Sequence, residues 1–180
     1  WPGCENIEEY NALIFGSGDV KAENALILKK SCKSITTIDS DPTAGADHLS
    51  LFDVEDGLFD IVIADHVIEH IPISECSDLF LSFRKKLKEK GEIVITIPNI
   101  TNFGSWFSHY DHKNFSPWWD VAAFLELEGF NIDHIFYWSR RNKTTEIQNF
   151  DDKDRKIALF LNRYYGLSIP DFVTIHAIKE

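Results

Sequence analysis

Phe59-Asp60-Ile61-Val62-Ile63-Ala64 runs directly into Asp65-His66-Val67-Ile68-Glu69-His70. The first half is an apolar run of strand length; the second is a cluster of ionisable side chains. Two other short apolar runs end in a similar way. Ala12-Leu13-Ile14-Phe15 gives way to Gly16-Ser17-Gly18, and Ser34-Ile35-Thr36-Thr37-Ile38 ends at Asp39. Near-continuous apolar strands belong to parallel sheets covered on both faces. Small and polar residues gathered at their C-terminal ends mark the edge where such sheets bind ligands.

Outward from these runs, strands and helices alternate. Strands are expected at 11–16, 34–39, 47–51, 59–65, 92–97, 130–138 and 172–178. A helix from Val20 to Lys30 follows the first. Ser74 can cap a second helix running to Glu89, with Leu79, Phe80, Phe83 and Leu87 on one face and Lys90-Gly91 stopping it. Ser116-Pro117 opens a third, closed by Gly129, and Asp151 or Asp152 caps a fourth through Tyr165. Residues 100–119 form an aromatic-rich loop. The alternation implies one α/β domain over residues 1–180, a doubly wound sheet with helices on both faces.

Composition narrows the function. A chain of 180 residues that is 44% hydrophobic has material for a real core. No apolar run reaches the roughly 20 residues of a membrane span. The net charge of −11 argues against a nucleic-acid surface, which needs clustered Lys and Arg. Cys4, Cys32 and Cys76 are widely spaced, as expected of reduced thiols in a cytoplasmic protein rather than of a disulfide or zinc framework. The lack of any methionine points to an excised core or a processed chain.

Gly16 and Gly18 allow a tight turn out of the first strand and close approach of a ligand to backbone. A dinucleotide site would need GxGxxG and a helix N-terminus free for pyrophosphate. Here Lys21 takes the third glycine position, and Asp19 opposes a phosphate charge. Asp39, at the end of the second strand, can accept both hydroxyls of a ribose. Glycine pair, acid and His-containing polar cluster, in that order, resemble the class I S-adenosylmethionine (SAM) methyltransferases, whose fourth-strand segment often reads close to His66-Val67-Ile68-Glu69-His70. The resemblance runs from about Asn11 to the last strand. It implies a seven-stranded sheet of order 3-2-1-4-5-7-6 with the last strand antiparallel.

The same resemblance implies SAM as cofactor. Gly16, Ser17 and Gly18 would form its loop, Asp39 the ribose anchor, and Ser40 the adenine edge. After the third strand, Ser50, Leu51-Phe52 and Asp53 compete for the adenine position, with Leu51 and Phe52 preferred over the rest. Ala64, Asp65 and His66 would line the methionine end. SAM has no phosphate and carries a positive sulfonium, so Asp19 is compatible with it. Two positions depart from the family: Ile14 replaces an acid two residues before the first glycine, and Val20 replaces a small residue.

Methyl transfer from a sulfonium needs alignment, and sometimes a base for the acceptor proton. His66, His70, His109 and His112 follow the fourth and fifth strands, and His66 and His112 are the expected catalytic pair. His66, Glu69 and His70 also have the spacing of one helical face. Together with His112 they resemble the metal ligands of small-RNA 2′-O-methyltransferases of the Hen type, with His in place of the first Glu. The expected site nevertheless holds no metal, because the aromatic setting of 103–119 suits a desolvated acceptor better than a hydrated cation. Arg140, Arg141 and Lys143 form a small basic cluster that could meet an anionic acceptor. The resulting expectation is a methyltransferase acting on a small carbohydrate-like or aromatic acceptor at oxygen. A degenerate nucleoside-binding module and a metal-assisted RNA 2′-O-methyltransferase are the alternatives.

Overall fold

Ala12, Leu13 and Ile14 are consecutive and buried in β1 (Asn11–Phe15), as are Ile61 to Ala64 in β3 (Phe59–Asp65). Such runs arise where both faces of a strand are covered. The computed structural model describes residues 7–18, 31–100, 111–114, 116–138 and 172–180. With β2 (Ser34–Ile38), β4 (Leu87–Pro98), β5 (Phe130–Trp138) and β6 (Phe172–Lys179), these strands form a sheet of order β2-β1-β3-β4-β6-β5. Strands β2, β1, β3 and β4 are parallel, while β6 runs antiparallel to both β4 and β5.

The described sheet therefore has six strands rather than seven. The segment expected as the third strand is a single parallel bridge, Ile38 to His48. Asp47 explains why it extends no further: its carboxylate accepts both the backbone N–H and the hydroxyl of Thr37, at 2.9 and 2.8 Å. A side chain thus takes a ladder position that a strand would fill with backbone. The remaining strands keep the expected order.

Two helices cover one face. α1 (Ile73–Lys86) buries Cys76, Phe80 and Phe83, and α2 (Trp118–Leu127) buries Trp118, Val121, Ala122 and Leu125. These meet Leu13, Val62, Ala64, Ile93, Ile95, Val173 and Ile175 in the main core. Each fully buried Phe there contributes roughly 1.5–3 kcal/mol relative to exposure. On the other face Ala12, Ile61, Ile63 and Val94 form a smaller cluster. The helices expected at 20–30 and 151–165 lie outside the described residues.

The helix ends differ from expectation. α1 begins at Ile73 after Pro72, without a side-chain cap from Ser74, and stops at Lys86. Lys86 is held there: its Nζ donates to the Val54 carbonyl and to Asp56 Oδ1. Leu87 then opens β4 fully buried, pairing with Phe59 before the register shifts to Ile61–Glu92. Lys90, with φ 59°, turns the extra residues. α2 starts after Pro117 with no side-chain cap, and Gly129, φ 80°, follows its end.

Candidate active site

The C-terminal ends of β1, β2, β3 and β4 lie side by side, and Gly16, Gly18, Asp39, Asp65 and His66 converge there. Gly16 and Gly18 both have positive φ, 69° and 56°. The N–H groups of Gly16 and Ser17 donate to the Ile38 carbonyl at 2.8 and 3.1 Å, turning the loop over the end of β2. A Cβ on Gly16 would lie 2.3 Å from Val67 Cγ2, so Val67 packs where any larger residue would stand. At Gly18 a Cβ would meet nothing within 4 Å, so that side of the loop is open.

Asp39 ties two loops together. Its Oδ2 accepts the Gly18 N–H at 2.8 Å, and its Oδ1 accepts the Asp41 N–H at 2.9 Å. Each carboxylate oxygen retains a further acceptor direction. The following turn is braced by Thr43, whose hydroxyl and N–H donate to Asp41 Oδ1 at 2.7 and 2.8 Å. The hydroxyl first, then the N–H, holds the Asp41 carboxyl below the usual carboxylate range. Ser40 sits exposed between these two acids. Leu51 and Phe52 part company: Leu51 is in the core, whereas Phe52 is 95% exposed. Ser50 Oγ accepts the Phe52 N–H and caps that short turn.

At the end of β3, Ala64 is buried and Asp65 is exposed, and His66, just beyond it, adopts φ 57°. A histidine in the left-handed region is uncommon, and such backbone concentrates at functional sites. Its N–H donates to the Thr96 carbonyl at 2.9 Å, and its ring lies edge-on to Phe172 with centroids 4.5 Å apart. Residues Ile68–His70 form one turn of 3-10 helix rather than the start of an α-helix. That turn divides the expected single face of ligands. His66 Nδ1 lies 3.3 Å from Glu69 Oε1, while His70 Nδ1 pairs with Asp111 Oδ2 at 3.1 Å.

His112 reaches the same place from the next loop. Lys113 and Asn114 donate their N–H groups to the Glu69 carbonyl at 2.8 and 3.0 Å, and the His112 ring stands edge-on to His70 at 5.1 Å. Ligand atoms of Glu69, His70 and His112 all lie within 4.8 Å of one another. Glu69 is buried, and its Oε2 has no hydrogen-bond partner among the described residues. His66 and His112 thus both lie close to Glu69, which the sequence grouped with them only as a possible metal ligand. The loop is fastened below by Asn114, whose Nδ2 donates to Cys76 Sγ at 3.3 Å.

Several expected participants lie outside the described residues: Asp19, Val20, the aromatic stretch 103–110 with His109, Phe115, Arg140, Arg141 and Lys143. Ile14, in place of the family's acid, is a buried strand residue.

No family model matches the sequence, and no curated protein matches it either. Solved structures do match in shape. A SAM-dependent methyltransferase from Archaeoglobus fulgidus superposes with a TM-score of 0.72 at 20% identity, covering 97% of this chain and 88% of its own. One from Mesorhizobium loti gives 0.65 at 13%, covering 98% and 94%. The fold is that of the SAM-dependent methyltransferases. Haemonchus contortus phosphoethanolamine N-methyltransferase 2, in complex with S-adenosyl-L-methionine, gives 0.64 at 15%, covering 98% of this chain and 50% of that one. Among the described residues of this methyltransferase-fold chain, no helix is long and apolar enough to cross a membrane.

Proposed function

We propose that the chain is a SAM-dependent methyltransferase acting at oxygen on a small acceptor of carbohydrate-like or aromatic type. The observation that carries this reading is the contact between Gly18 and Asp39. It fixes a positive-φ glycine loop beside a strand-end carboxylate that still has acceptor capacity facing out. That pairing fits a nucleoside with a free ribose diol. The open side of Gly18 fits close approach of a ligand, and Asp65 and His66 fit its positively charged end. When bound, SAM supplies a methyl carbon on a sulfonium, already activated for displacement.

The chain's own residues then have separable tasks. Gly16, Ser17, Gly18 and Asp39 hold the nucleoside, with Ser40 and the exposed Phe52 flanking the base. Ala64 closes the floor of the site. His66, partly exposed at the edge and oriented by Glu69, takes the acceptor proton. His112 positions the loop from which the acceptor is met. Calorimetric titration and thermal melting test this reading: S-adenosylhomocysteine should bind and stabilise, whereas NAD and NADP should not. Stabilisation by a dinucleotide alone would overturn it. Binding without turnover on any acceptor would indicate the degenerate module.

A second reading has its own support. Glu69, His70 and His112 could hold a divalent ion, and the unpartnered buried Oε2 of Glu69 is the kind of group that a cation satisfies. In that case the site would use the ion to polarise the acceptor oxygen.

A further inference from the structure

On the sheet face opposite α1 and α2, a second set of ionisable side chains meets across β4, β5 and β6. Ile175 and Ala177 face the main core, so the intervening His176 points to the other side, as does Glu92 next to Ile93. His134 pairs in register with His176, and the register of β5 shifts between Ile132 and His134. Asp133 is therefore the extra residue of a β-bulge. Bulges re-aim side chains and are built features rather than defects. Here the bulge brings Asp133 and His134 to the same side as His176.

We propose that Asp133, His134 and His176 bind a divalent transition-metal ion of the zinc type, with Glu92 and Tyr10 orienting His176 from behind. Asp133 Oδ2 lies 2.6 Å from His134 Nδ1 and 3.0 Å from His176 Nδ1. One ligand atom from each of the three residues lies within 4.8 Å of the others. Ligand atoms around a tetrahedral zinc, with bonds of about 2.0–2.1 Å, stand about 3.3 Å apart, so the two Asp133 contacts, at 2.6 and 3.0 Å, need to open by less than about 1 Å. Two imidazoles and one carboxylate suit zinc and its neighbours and disfavour magnesium or calcium, which take oxygen ligands.

The hydrogen bonds behind His176 point the same way. Its Nε2 is 3.1 Å from Glu92 Oε2, and Glu92 Oε1 accepts the Tyr10 hydroxyl at 2.7 Å. A neutral His176 that donates from Nε2 directs its Nδ1 lone pair at the Asp133 carboxylate. Two lone pairs facing each other at that distance repel, and a cation between them removes the conflict. Carboxylates paired with the far nitrogen of a histidine are the usual support of metal-ligating imidazoles. His176 is 1% exposed, whereas Asp133 and His134 are each about one-third exposed, so an ion has a rigid inner ligand and an entry from solvent. Bound there, it would pin β5 to β6 at the edge of the sheet, independently of the methyltransferase reading.

The test uses the full chain, stripped with chelator and titrated with Zn²⁺ by calorimetry and with Co²⁺ by visible absorption. One saturable equivalent at this site and a rise in Tm are expected. Asp133→Asn and His134→Ala, both at partly exposed positions, should abolish that equivalent, and Glu92→Gln should weaken it about 10–100-fold. His70→Ala, which dismantles the other histidine cluster, should leave it in place. Absence of saturable binding would overturn the proposal. So would binding that survives both Asp133→Asn and His134→Ala.

Discussion

Asp39 accepts the backbone N–H of Gly18 at 2.8 Å across 21 residues of sequence. The strand-end acid is thus a fastener of the glycine loop as well as a candidate ligand anchor. The two roles are compatible because the Gly18 and Asp41 amides use one acceptor direction on each oxygen. Loss of the carboxylate would release both the Gly18 loop and the Asp41 turn.

Asp39→Ala is expected to weaken S-adenosylhomocysteine binding by roughly 1.5–3 kcal/mol, the range for a charge-assisted hydrogen bond, while the protein stays folded. Asp39→Asn should fall between, since its amide offers one acceptor oxygen where two amides now donate. Titration calorimetry on both variants, with melting curves as the folding control, is the measurement. Equal affinity for wild type and Asp39→Ala would remove the ribose anchor from this site.

Gly16→Ala should destabilise the fold for two separable reasons. A left-handed φ costs a non-glycine residue about 1–3 kcal/mol, and the new Cβ would in addition collide with Val67 Cγ2 at 2.3 Å. Val67→Ala removes the nearest methyl contacts, so the double variant should regain part of the lost stability and keep the φ penalty. Denaturant unfolding of the four-member cycle measures this. Strict additivity of the two single changes would show that Val67 is not the obstacle.

Much of this edge was legible because it obeys short-range rules. Apolar runs of strand length, a glycine pair and an acid at a strand end announce themselves without tertiary information, and all of them meet at one end of the sheet. The third strand does not form because Asp47, 10 residues after Thr37, caps it with its side chain, a choice that periodicity does not encode. α1 ends earlier than its charged stretch suggests because Lys86, which reads as exposed helix, is buried and drawn to the Val54 carbonyl and the exposed Asp56 carboxylate. Glu69 was undervalued for the same kind of reason: the neighbours that make it central, His112 and Asn114, arrive from a loop distant in sequence. The Asp133–His176 cluster depends on a bulge and on strand pairing, neither of which leaves a mark in the local pattern.

Cys76 should be a silent thiol. Burial raises its pKa first, the Glu75 charge adds to this, and the Asn114 hydrogen bond partly offsets both. A folded-state pKa above the unfolded one means stability that is whole below the ordinary thiol value and is lost as pH rises from there through the raised value. Wild type should therefore lose stability in alkaline solution more steeply than Cys76→Ala does. Denaturant melts at neutral and alkaline pH compare the slopes, and peptide mapping after thiol labelling should find Cys76 modified only on unfolding. Rapid labelling of native Cys76 at neutral pH would contradict its buried position.

The Glu69, His70 and His112 cluster separates proton transfer from metal assistance once turnover on an acceptor is in hand. Acid pH does not distinguish them, since a protonated histidine can neither take a proton nor ligate an ion. Chelation does. If His66 is the acceptor base, methyl transfer should survive exhaustive chelation, and His66→Ala should lower kcat by about 10²–10⁴-fold, the span typical of general-base catalysis. His70→Ala should then act mainly through the loop, lowering stability through the lost Asp111 pairing while leaving kcat within a small factor. If instead the cluster holds a divalent ion, chelation should abolish turnover and added metal should restore it. His70→Ala and His112→Ala should then raise the metal concentration needed for half-maximal rate. Asp133→Asn serves as the control, because its cluster lies on the far face of the sheet. Metal-restorable activity that is lost in His112→Ala but kept in Asp133→Asn would replace His66 as base with the ion as the principal catalyst.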